Sequence, residues 1–139
     1  MNILQQNIEF NKFLFDFINQ LNLEYMNGAI ILVEGKKDTN ALVSLGFIGK
    51  TIEYCNNNNL SKIELKTQVY DKIIILFDYD AEGRKLTRKV LLRLNKTSII
   101  ELKYRRNLSF MSNNSIKRIE ELSNFNRLAK FRSGQAGFQ

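Results

Sequence analysis

The sequence predicts a doubly wound α/β fold, with a mainly parallel sheet of four strands and helices on both faces. Two short, continuous apolar runs indicate this class, Ala29 to Val33 and Ile73 to Phe77, and each leads directly into an acidic residue. Such runs are typical of strands buried on both faces of a parallel sheet. Segments with helical periodicity alternate with them, as in βαβ units with right-handed crossovers.

The helices are predicted from apolar spacing and cap residues. Over residues 6–22 apolar side chains recur at spacings of three and four, which predicts an amphipathic helix whose Phe-rich face packs on the sheet. Ser61 and Glu64 have capping-box spacing and mark the start of another helix. The predicted helices are 6–22, 37–45, 61–70 and 83–94, followed by one or two helical turns near 116–122.

The strands are predicted from branched apolar runs between turn signals. Asn27-Gly28 ends the first helix, and residues 56–59, all asparagine, are expected to form a polar loop. The predicted strands are 29–34, 51–55, 73–78 and 98–102. We expect the N-terminal helix within 1–27 to pack on a domain spanning 28–122, and 123–139 to form a loose C-terminal extension.

Composition excludes several classes of function. The 139 residues include no histidine and a single cysteine, Cys55, which excludes histidine-based triads, cysteine-cluster zinc sites and an internal disulfide. No apolar stretch approaches the ~18 residues of a membrane span, and no secretory signal pattern is visible. We therefore expect a cytoplasmic protein with no membrane partner.

Charge is distributed unevenly along the chain. Residues 1–80 hold 7 Lys/Arg and 10 Asp/Glu, a net charge of −3, whereas residues 81–139 hold 14 Lys/Arg and 4 Asp/Glu, a net charge of +10. An acidic crevice beside a basic half suits a polyanion held near a metal ion. The alternative is a basic surface that is merely solvated.

Acidic side chains follow two of the predicted strands. Asp78 and Asp80 are two positions apart at one strand end, and Glu34 directly follows another strand. In parallel sheets ligands bind outside the carboxyl ends of the strands. Carboxylates held close together repel one another, and a hard divalent cation, Mg²⁺ or alternatively Mn²⁺, relieves that repulsion. We therefore predict metal binding by Glu34, Asp78, Asp80 and Glu82, with Glu34 also the catalytic acid or base.

Basic residues and a glycine near these acids are candidates for phosphate contacts. Gly35 allows a phosphate to approach the backbone, and lysine and arginine bind phosphate oxygens. The predicted nucleic-acid or phosphate-binding set is Gly35, Lys36, Lys37, Arg84, Lys85, Arg88, Arg105 and Arg106. Lys117-Arg118 extends this basic surface, and a solvated position is the alternative for any single member. Asp38 is interpreted either as a helix N-cap or as part of the site.

Three rival phosphate and metal motifs do not match. An EF-hand loop starting at Asp78 requires glutamate at its twelfth position, and that residue is Lys89. Gly35-Lys36 lacks the spacing of a P-loop. A phosphate-accepting signalling domain would place an acid beside Glu34, and none is adjacent.

Two segments, in this order and at this separation, resemble the Toprim domain. They are residues 30–42 (Ile-Ile-Leu-Val-Glu-Gly-Lys-Lys-Asp-Thr-Asn-Ala-Leu) with Leu45-Gly46, and residues 74–84 (Ile-Ile-Leu-Phe-Asp-Tyr-Asp-Ala-Glu-Gly-Arg). Type IA and type II topoisomerases, bacterial-type primases, recombination-repair proteins and overcoming-lysogenization-defect nucleases share this domain. The first segment is also similar to bacterial ribosomal-RNA maturases. The overall length and residues 119–122 (Ile-Glu-Glu-Leu) are similar to the small stand-alone Toprim proteins of archaea.

The resemblance implies a Rossmann-like Toprim fold over about 28–122, in which Glu34 acts in acid–base chemistry or near the metal and Asp78 and Asp80 hold Mg²⁺. Glu82 matches the additional acid of the topoisomerase version. We expect neither the strand-breaking tyrosine domain of topoisomerases nor the zinc-binding region of primases. Tyr79 and Tyr104 are accordingly interpreted as packing or stacking residues.

Two functions remain open on these grounds. The first is Mg²⁺-dependent processing of phosphodiester bonds in RNA or DNA, nucleolytic in type. The second is a non-catalytic module that binds nucleic acid or a ribonucleoprotein, within a larger RNA- or DNA-processing complex. Cleavage of labelled RNA or DNA with Mg²⁺ or Mn²⁺ distinguishes them.

Overall fold

A computed structural model of the protein describes residues 3–57 and 59–125. Its centre is a four-stranded sheet in the order β2-β1-β3-β4, and every strand pair is parallel. The strands are β1 Ala29–Val33, β2 Thr51–Glu53, β3 Lys72–Ile75 and β4 Ile99–Glu101. The predicted α/β fold is confirmed. Because Ile31 of β1 lies opposite Ile74 of β3, these two central strands end side by side.

Helices surround the sheet. They are α1 Ile3–Met26, α2 Lys36–Ser44, α3 Tyr54–Asn57, α4 Leu60–Thr67, α5 Ala81–Leu94, α6 Lys103–Met111 and a 3₁₀ helix Ile119–Phe125. Among the described residues, no helix combines the length and the apolar character that a membrane crossing requires.

The two faces of the sheet bury separate cores. Ala29, Ile31 and Val33 face a core shared with α1, α2, α6 and the 3₁₀ helix. Ile30 and Leu32 face a second core, which includes side chains of α4 and α5. Every residue of β1 is at most 1% exposed. Burying each large aliphatic side chain contributes about 1.5–3 kcal/mol, which explains why the strand is apolar at every position.

The Phe-rich face of α1 forms much of the first core, as its spacing predicts. Phe10 and Phe17 are buried on this face together with three aliphatic side chains of the helix. The ring of Phe10 lies 5.0 Å from that of Phe125, so α1 contacts the 3₁₀ helix. The rest of the expected C-terminal extension, residues 126–139, lies outside the described residues.

One helix, α6, has no counterpart among the predicted elements. Its buried positions are Tyr104, Arg105, Leu108 and Ser109. Three of these four residue types are polar and usually exposed or only partly buried, so the buried face carries almost no apolar periodicity. The helix is recognisable only once its polar partners are in place.

The asparagine-rich segment is also more ordered than predicted. Residues up to Asn57 form the short helix α3, because the Asn57 side chain donates a hydrogen bond to the Glu53 carbonyl, 2.8 Å away. The cap of α4 is Asn59 and not the predicted Ser61. The Asn59 side-chain oxygen accepts from the Ser61 backbone N–H at 2.8 Å. Short polar side chains of this kind compete to satisfy free backbone groups at helix ends.

Candidate functional site

Glu34 and Asp78 meet at the carboxyl ends of the two central strands. The parallel register continues beyond β3, where the Leu76 backbone N–H donates to the Leu32 carbonyl at 2.9 Å. This brings the Asp78 backbone N–H to Glu34, whose Oε2 accepts its hydrogen bond at 2.5 Å. Residues 44 positions apart are therefore in direct contact, at the edge of the sheet where the sequence predicts the site.

Three of the four predicted carboxylates, Glu34, Asp78 and Asp80, each have one oxygen that accepts from a backbone N–H. Besides the bond to Glu34, Asp78 Oδ1 accepts from the Ile119 N–H at 2.9 Å, and Asp80 Oδ1 accepts from the Gly83 N–H at 2.8 Å as the N-cap of α5. Asp80 Oδ2 lies 3.9 Å from Arg118 Nε. Within the described part of the chain, the second oxygens of Glu34 and Asp78 accept no protein hydrogen bond and remain available to a ligand.

Burial and mutual repulsion make this group of acids difficult to ionise. Burial, followed by the charges of Asp78, Asp38 and Asp80, raises the pKa of Glu34 to about 7, against the effect of the bond from the Asp78 N–H. Burial and the charge of Asp80 also raise the pKa of Asp78. At neutral pH the cleft therefore favours either a shared proton or a bound cation.

Asp38 serves both of the roles between which the sequence does not decide. Its Oδ2 accepts from the Gly35 backbone N–H at 3.1 Å, which caps the start of α2. The side chain is also 6% exposed and lines the same cleft as Glu34. Burial, then the charges of Asp78 and Glu120, raises the pKa of Asp38 to about 6. The sequence leaves these two roles open and does not include Asp38 in the predicted metal-ligand set.

The carboxylates open into a cleft of about 400 Å³. It is lined by Glu34, Gly35, Lys36, Lys37, Asp38, Cys55, Asp78, Asp80, Glu82, Arg118 and Glu120. Arg118 and Glu120 lie in the segment after α6 and also line the cleft. The sequence indicates Arg118 only as an extension of the basic surface and Glu120 only as part of the segment Ile-Glu-Glu-Leu, and it assigns neither to the carboxylate site.

Six of the seven predicted basic residues are exposed, and three of them line this cleft or an adjoining one. Lys36 and Lys37 line it from the first turn of α2. Lys85 and Lys89 line an adjoining cleft together with Glu34 and Glu82, so a basic row of α5 begins at the acidic site. Three further members of the predicted set are exposed but line neither cleft: Arg84, Arg88 and Arg106.

Arg105 does not occupy the position predicted for it. We expected an exposed phosphate contact, but Arg105 is 3% exposed and its guanidinium is hydrogen-bonded inside the protein. The cause is α6, which turns this side chain toward the end of β3. Arg105 is therefore not a candidate for phosphate binding.

Two glycines near the site differ in what they require. Gly35 has an extended backbone (φ −154°), and a Cβ there would meet Cys55 Sγ at an ordinary 3.5 Å, so its conformation does not demand glycine. A Cβ on Gly83 would collide with the Asp78 carbonyl oxygen. The close approach of α5 to Asp78 therefore requires glycine at position 83.

The donor set fits Mg²⁺ in part. In residues 3–57 and 59–125 no three Asp, Glu or Cys side chains form a group arranged to hold a metal ion, so the predicted four-carboxylate set is not gathered into one cage. Mg²⁺ does not need such a cage, because it keeps several waters and binds through one or two carboxylates plus phosphate oxygens. The available oxygens of Glu34 and Asp78, which accept no bond from any described residue, fit that requirement.

Comparison with known proteins agrees with this geometry. The Toprim domain profile matches residues 29–109. The UPF0292 protein of Thermococcus onnurineus is 36% identical over 101 residues, 72% of this chain and 74% of that protein. The UPF0292 protein of Archaeoglobus fulgidus is 31% identical over 113 residues, 80% of this chain and 87% of that protein. A solved structure, a putative protein from Aquifex aeolicus, matches with a TM-score of 0.64 and 26% identity, covering 76% of this chain and 94% of that one.

The matched region includes Glu34, Asp78 and Asp80 and ends before Arg118. A Toprim domain indicates a metal-dependent function connected with nucleic acids, and such domains usually bind Mg²⁺. The profile covers more than half of the chain, and the two relatives, which are of similar length, align over most of their own sequences. The chain belongs to the Toprim domain family.

Proposed function

We propose that this protein processes phosphodiester bonds of RNA or DNA in a Mg²⁺-dependent, nuclease-like reaction. The observation that supports this most directly is the contact between Glu34 and Asp78 at the ends of adjacent strands. Asp80 follows on the same turn with its own backbone bond. Oxygen ligands that are oriented in advance suit a small, hard cation that tolerates little distortion of its coordination.

The carboxylates differ in environment and therefore in role. Glu34, with its pKa raised to about 7 by burial and neighbouring charges, is suited to take up and return a proton near neutral pH. Asp78, Asp80 and the available oxygen of Glu34 would hold Mg²⁺, with Glu82 acting through a water. Bound there, Mg²⁺ would stabilise the charge that develops on the phosphate oxygens.

The surrounding cations suit a nucleic-acid backbone. Lys36 and Lys37 lie on one side of the acidic residues, and Lys85 and Lys89 extend from the other along α5. Phosphates bound on this row would lie next to the carboxylates. Contacts of this type make affinity fall steeply with salt, because phosphate binding releases counterions.

We propose residues 28–122 as the functional unit, with 123–139 as an extension. The cleft and its two basic flanks fall within these bounds. Cys55, exposed and unpaired by any disulfide, is compatible with a reducing compartment, and we place the protein in the cytoplasm. Its partner there would be RNA or DNA, alone or in a larger processing complex.

The test is cleavage of end-labelled RNA and DNA by the double variant Asp78→Asn/Asp80→Asn. Asparagine keeps an oxygen for the Ile119 and Gly83 N–H bonds, so the fold is retained while the charge is removed. We expect Mg²⁺-stimulated cleavage to fall below detection with unchanged thermal unfolding. Glu9→Gln/Asp16→Asn, which removes two exposed acids of α1, is the matched control and should cleave normally.

Two results would contradict the proposal. Full cleavage by the Asp78→Asn/Asp80→Asn protein would show that these carboxylates do not act in the reaction. Salt-sensitive binding of nucleic acid by the wild type, with no turnover in Mg²⁺ or Mn²⁺, would instead favour a non-catalytic binding module.

A further inference from the structure

Arg105 is the only Lys or Arg among the buried residues of the described chain. Its Nε donates to the Phe77 carbonyl at 2.8 Å, and its Nη1 donates to Ser109 Oγ at 3.0 Å. Its Nη2 donates to the carbonyls of Ile116 and Lys117 at 3.1 and 2.9 Å. None of these acceptors is a carboxylate, so within residues 3–57 and 59–125 no direct ion pair neutralises this buried cation.

The carbonyls that Arg105 binds belong to two segments that build the site. Phe77 directly precedes Asp78 at the end of β3. Ile116 and Lys117 lead to Ile119, whose N–H donates to Asp78 Oδ1. The Arg105 guanidinium therefore bridges the backbone that carries Asp78 to the backbone that orients its carboxylate.

A second contact joins the same two segments. The Tyr79 backbone N–H donates to the Lys117 carbonyl at 2.6 Å, and the Tyr79 ring lies against the Arg105 guanidinium, 4.4 Å from centroid to Cζ. A planar guanidinium has donors along two edges and can bind both segments while it stacks on a ring. The ammonium of lysine is a single point of charge and cannot reproduce this bridge.

The placement is costly if its only purpose is packing. Burying a charge without a paired carboxylate is unfavourable, and an apolar side chain of similar volume often packs as well or better. The carbonyl dipoles and the nearby acidic cleft offset that cost. A bridge that fixes the orientation of Asp78 gives the charged residue a role that an apolar one cannot fill.

We propose that Arg105 is the positioning residue of the metal site. It holds the segment 116–119, which lies outside the matched region 29–109, against the end of β3 and thereby orients Asp78 toward the metal. This inference rests on the proposed function, since it requires that Asp78 binds a divalent cation. Arg105 itself contacts neither metal nor substrate.

The test measures Mn²⁺ binding by calorimetry in the variants Arg105→Met and Arg105→Lys. We expect both to bind Mn²⁺ about 10- to 100-fold more weakly than wild type, as is common when a residue that orients a metal ligand is removed. Lys103→Met, which removes an exposed cation of the same helix, and Ser109→Ala, which loses the one Arg105 bond that does not reach the site, are the controls and should bind normally. Thermal unfolding is recorded for every variant.

The outcomes separate this inference from the proposed function. Arg105 variants that unfold at lower temperature yet bind Mn²⁺ with wild-type affinity would overturn it, because the residue would then be only structural. If the wild type binds neither Mg²⁺ nor Mn²⁺, the proposed function fails first and this inference fails with it.

A measurement on the wild type covers the case in which the variants do not fold. In a Mg²⁺ titration followed by NMR, the signals of the Arg105 Nε–H and the Ile119 amide should shift together. Their midpoint should fall at the same Mg²⁺ concentration as that of the Asp78 amide. A shift of the Asp78 amide without any change at Arg105 and Ile119 would contradict the bridge.

Discussion

Glu24 and Glu34 lie at opposite ends of β1 and have opposite surroundings. Glu24, at the end of α1, accepts hydrogen bonds from Lys72 Nζ at 3.1 Å and from Tyr104 Oη at 2.7 Å. Burial alone would raise the pKa of Glu24, but these two bonds and the charge of Lys72 lower it overall. Glu34 has a backbone N–H as its partner and faces three carboxylates, and its pKa is raised to about 7.

The contrast separates a stabilising carboxylate from a functional one. At the amino end of the sheet, Lys72 neutralises Glu24 and the Tyr104 hydroxyl donates to it, which joins α1 to β3 and α6. At the carboxyl end, carboxylates of like charge lie close together, and their repulsion destabilises the folded protein. Repulsion between carboxylates of like charge is retained in proteins mainly where function requires it.

The strongest contrast in activity should come from replacing each glutamate, at either end of β1, by its neutral amide glutamine. Glu34→Gln should lower Mg²⁺-dependent cleavage by about 10²–10⁴-fold, the usual contribution of a general acid or base. Glu24→Gln should leave cleavage unchanged but lower the free energy of unfolding by about 1–3 kcal/mol, because Lys72 loses its partner. Initial rates and urea unfolding of both variants check this. Equal loss of activity in the two variants would contradict the distinction between a stabilising Glu24 and a functional Glu34.

A smaller effect is expected from the backbone that holds Asp78. Gly83→Ala places a Cβ against the Asp78 carbonyl oxygen, so the turn or α5 must move. We expect a loss of about 1–3 kcal/mol of stability, as in other overpacked sites, together with weaker Mn²⁺ binding. Gly35→Ala is the control, since its Cβ meets only Cys55 at 3.5 Å, and its stability should change little. Unaltered Mn²⁺ affinity in a folded Gly83→Ala protein would argue against Asp78 as a ligand.

The smallest effect concerns pH in the absence of divalent ions. The pKa of Glu34 is raised to about 7 in the folded protein, against an ordinary value of 4.5 in the unfolded chain. The folded state therefore binds more protons in this window, and its stability falls as pH rises from about 4.5 to about 7. For Glu24, whose pKa is lowered, the sign is opposite: its contribution is lost as pH falls.

Thermal unfolding in EDTA at about pH 5 and about pH 8 tests these signs. At the higher pH the free energy of unfolding of Glu34→Gln should exceed that of the wild type by roughly 1 kcal/mol, after allowance for solvent screening of a half-buried group. At the lower pH the two proteins should be equally stable. Glu24→Gln should be less stable than wild type at the higher pH. A Glu34→Gln protein that is less stable than wild type at the higher pH would show that repulsion does not dominate there.

Much of the fold follows from local pattern. The β1 and β3 runs are apolar at consecutive positions because both faces of each strand are covered, and that signal is present in any window of the sequence. The spacing of apolar residues in α1 is equally direct. For α6 the pattern fails, since Tyr104, Arg105 and Ser109 occupy the buried face and are stabilised by partners distant in the chain.

The α/β class, the acidic motifs after two strands, and the candidates Glu34, Asp78 and Asp80 are predictable from the sequence, because strand-end position is a local property. The burial of Arg105, the two roles of Asp38 and the presence of Arg118 and Glu120 in the cleft depend on contacts between distant segments. These outcomes depend on which distant backbone groups satisfy a polar side chain. The sequence does not distinguish a polar side chain that is hydrogen-bonded to water from one that is hydrogen-bonded to a buried carbonyl.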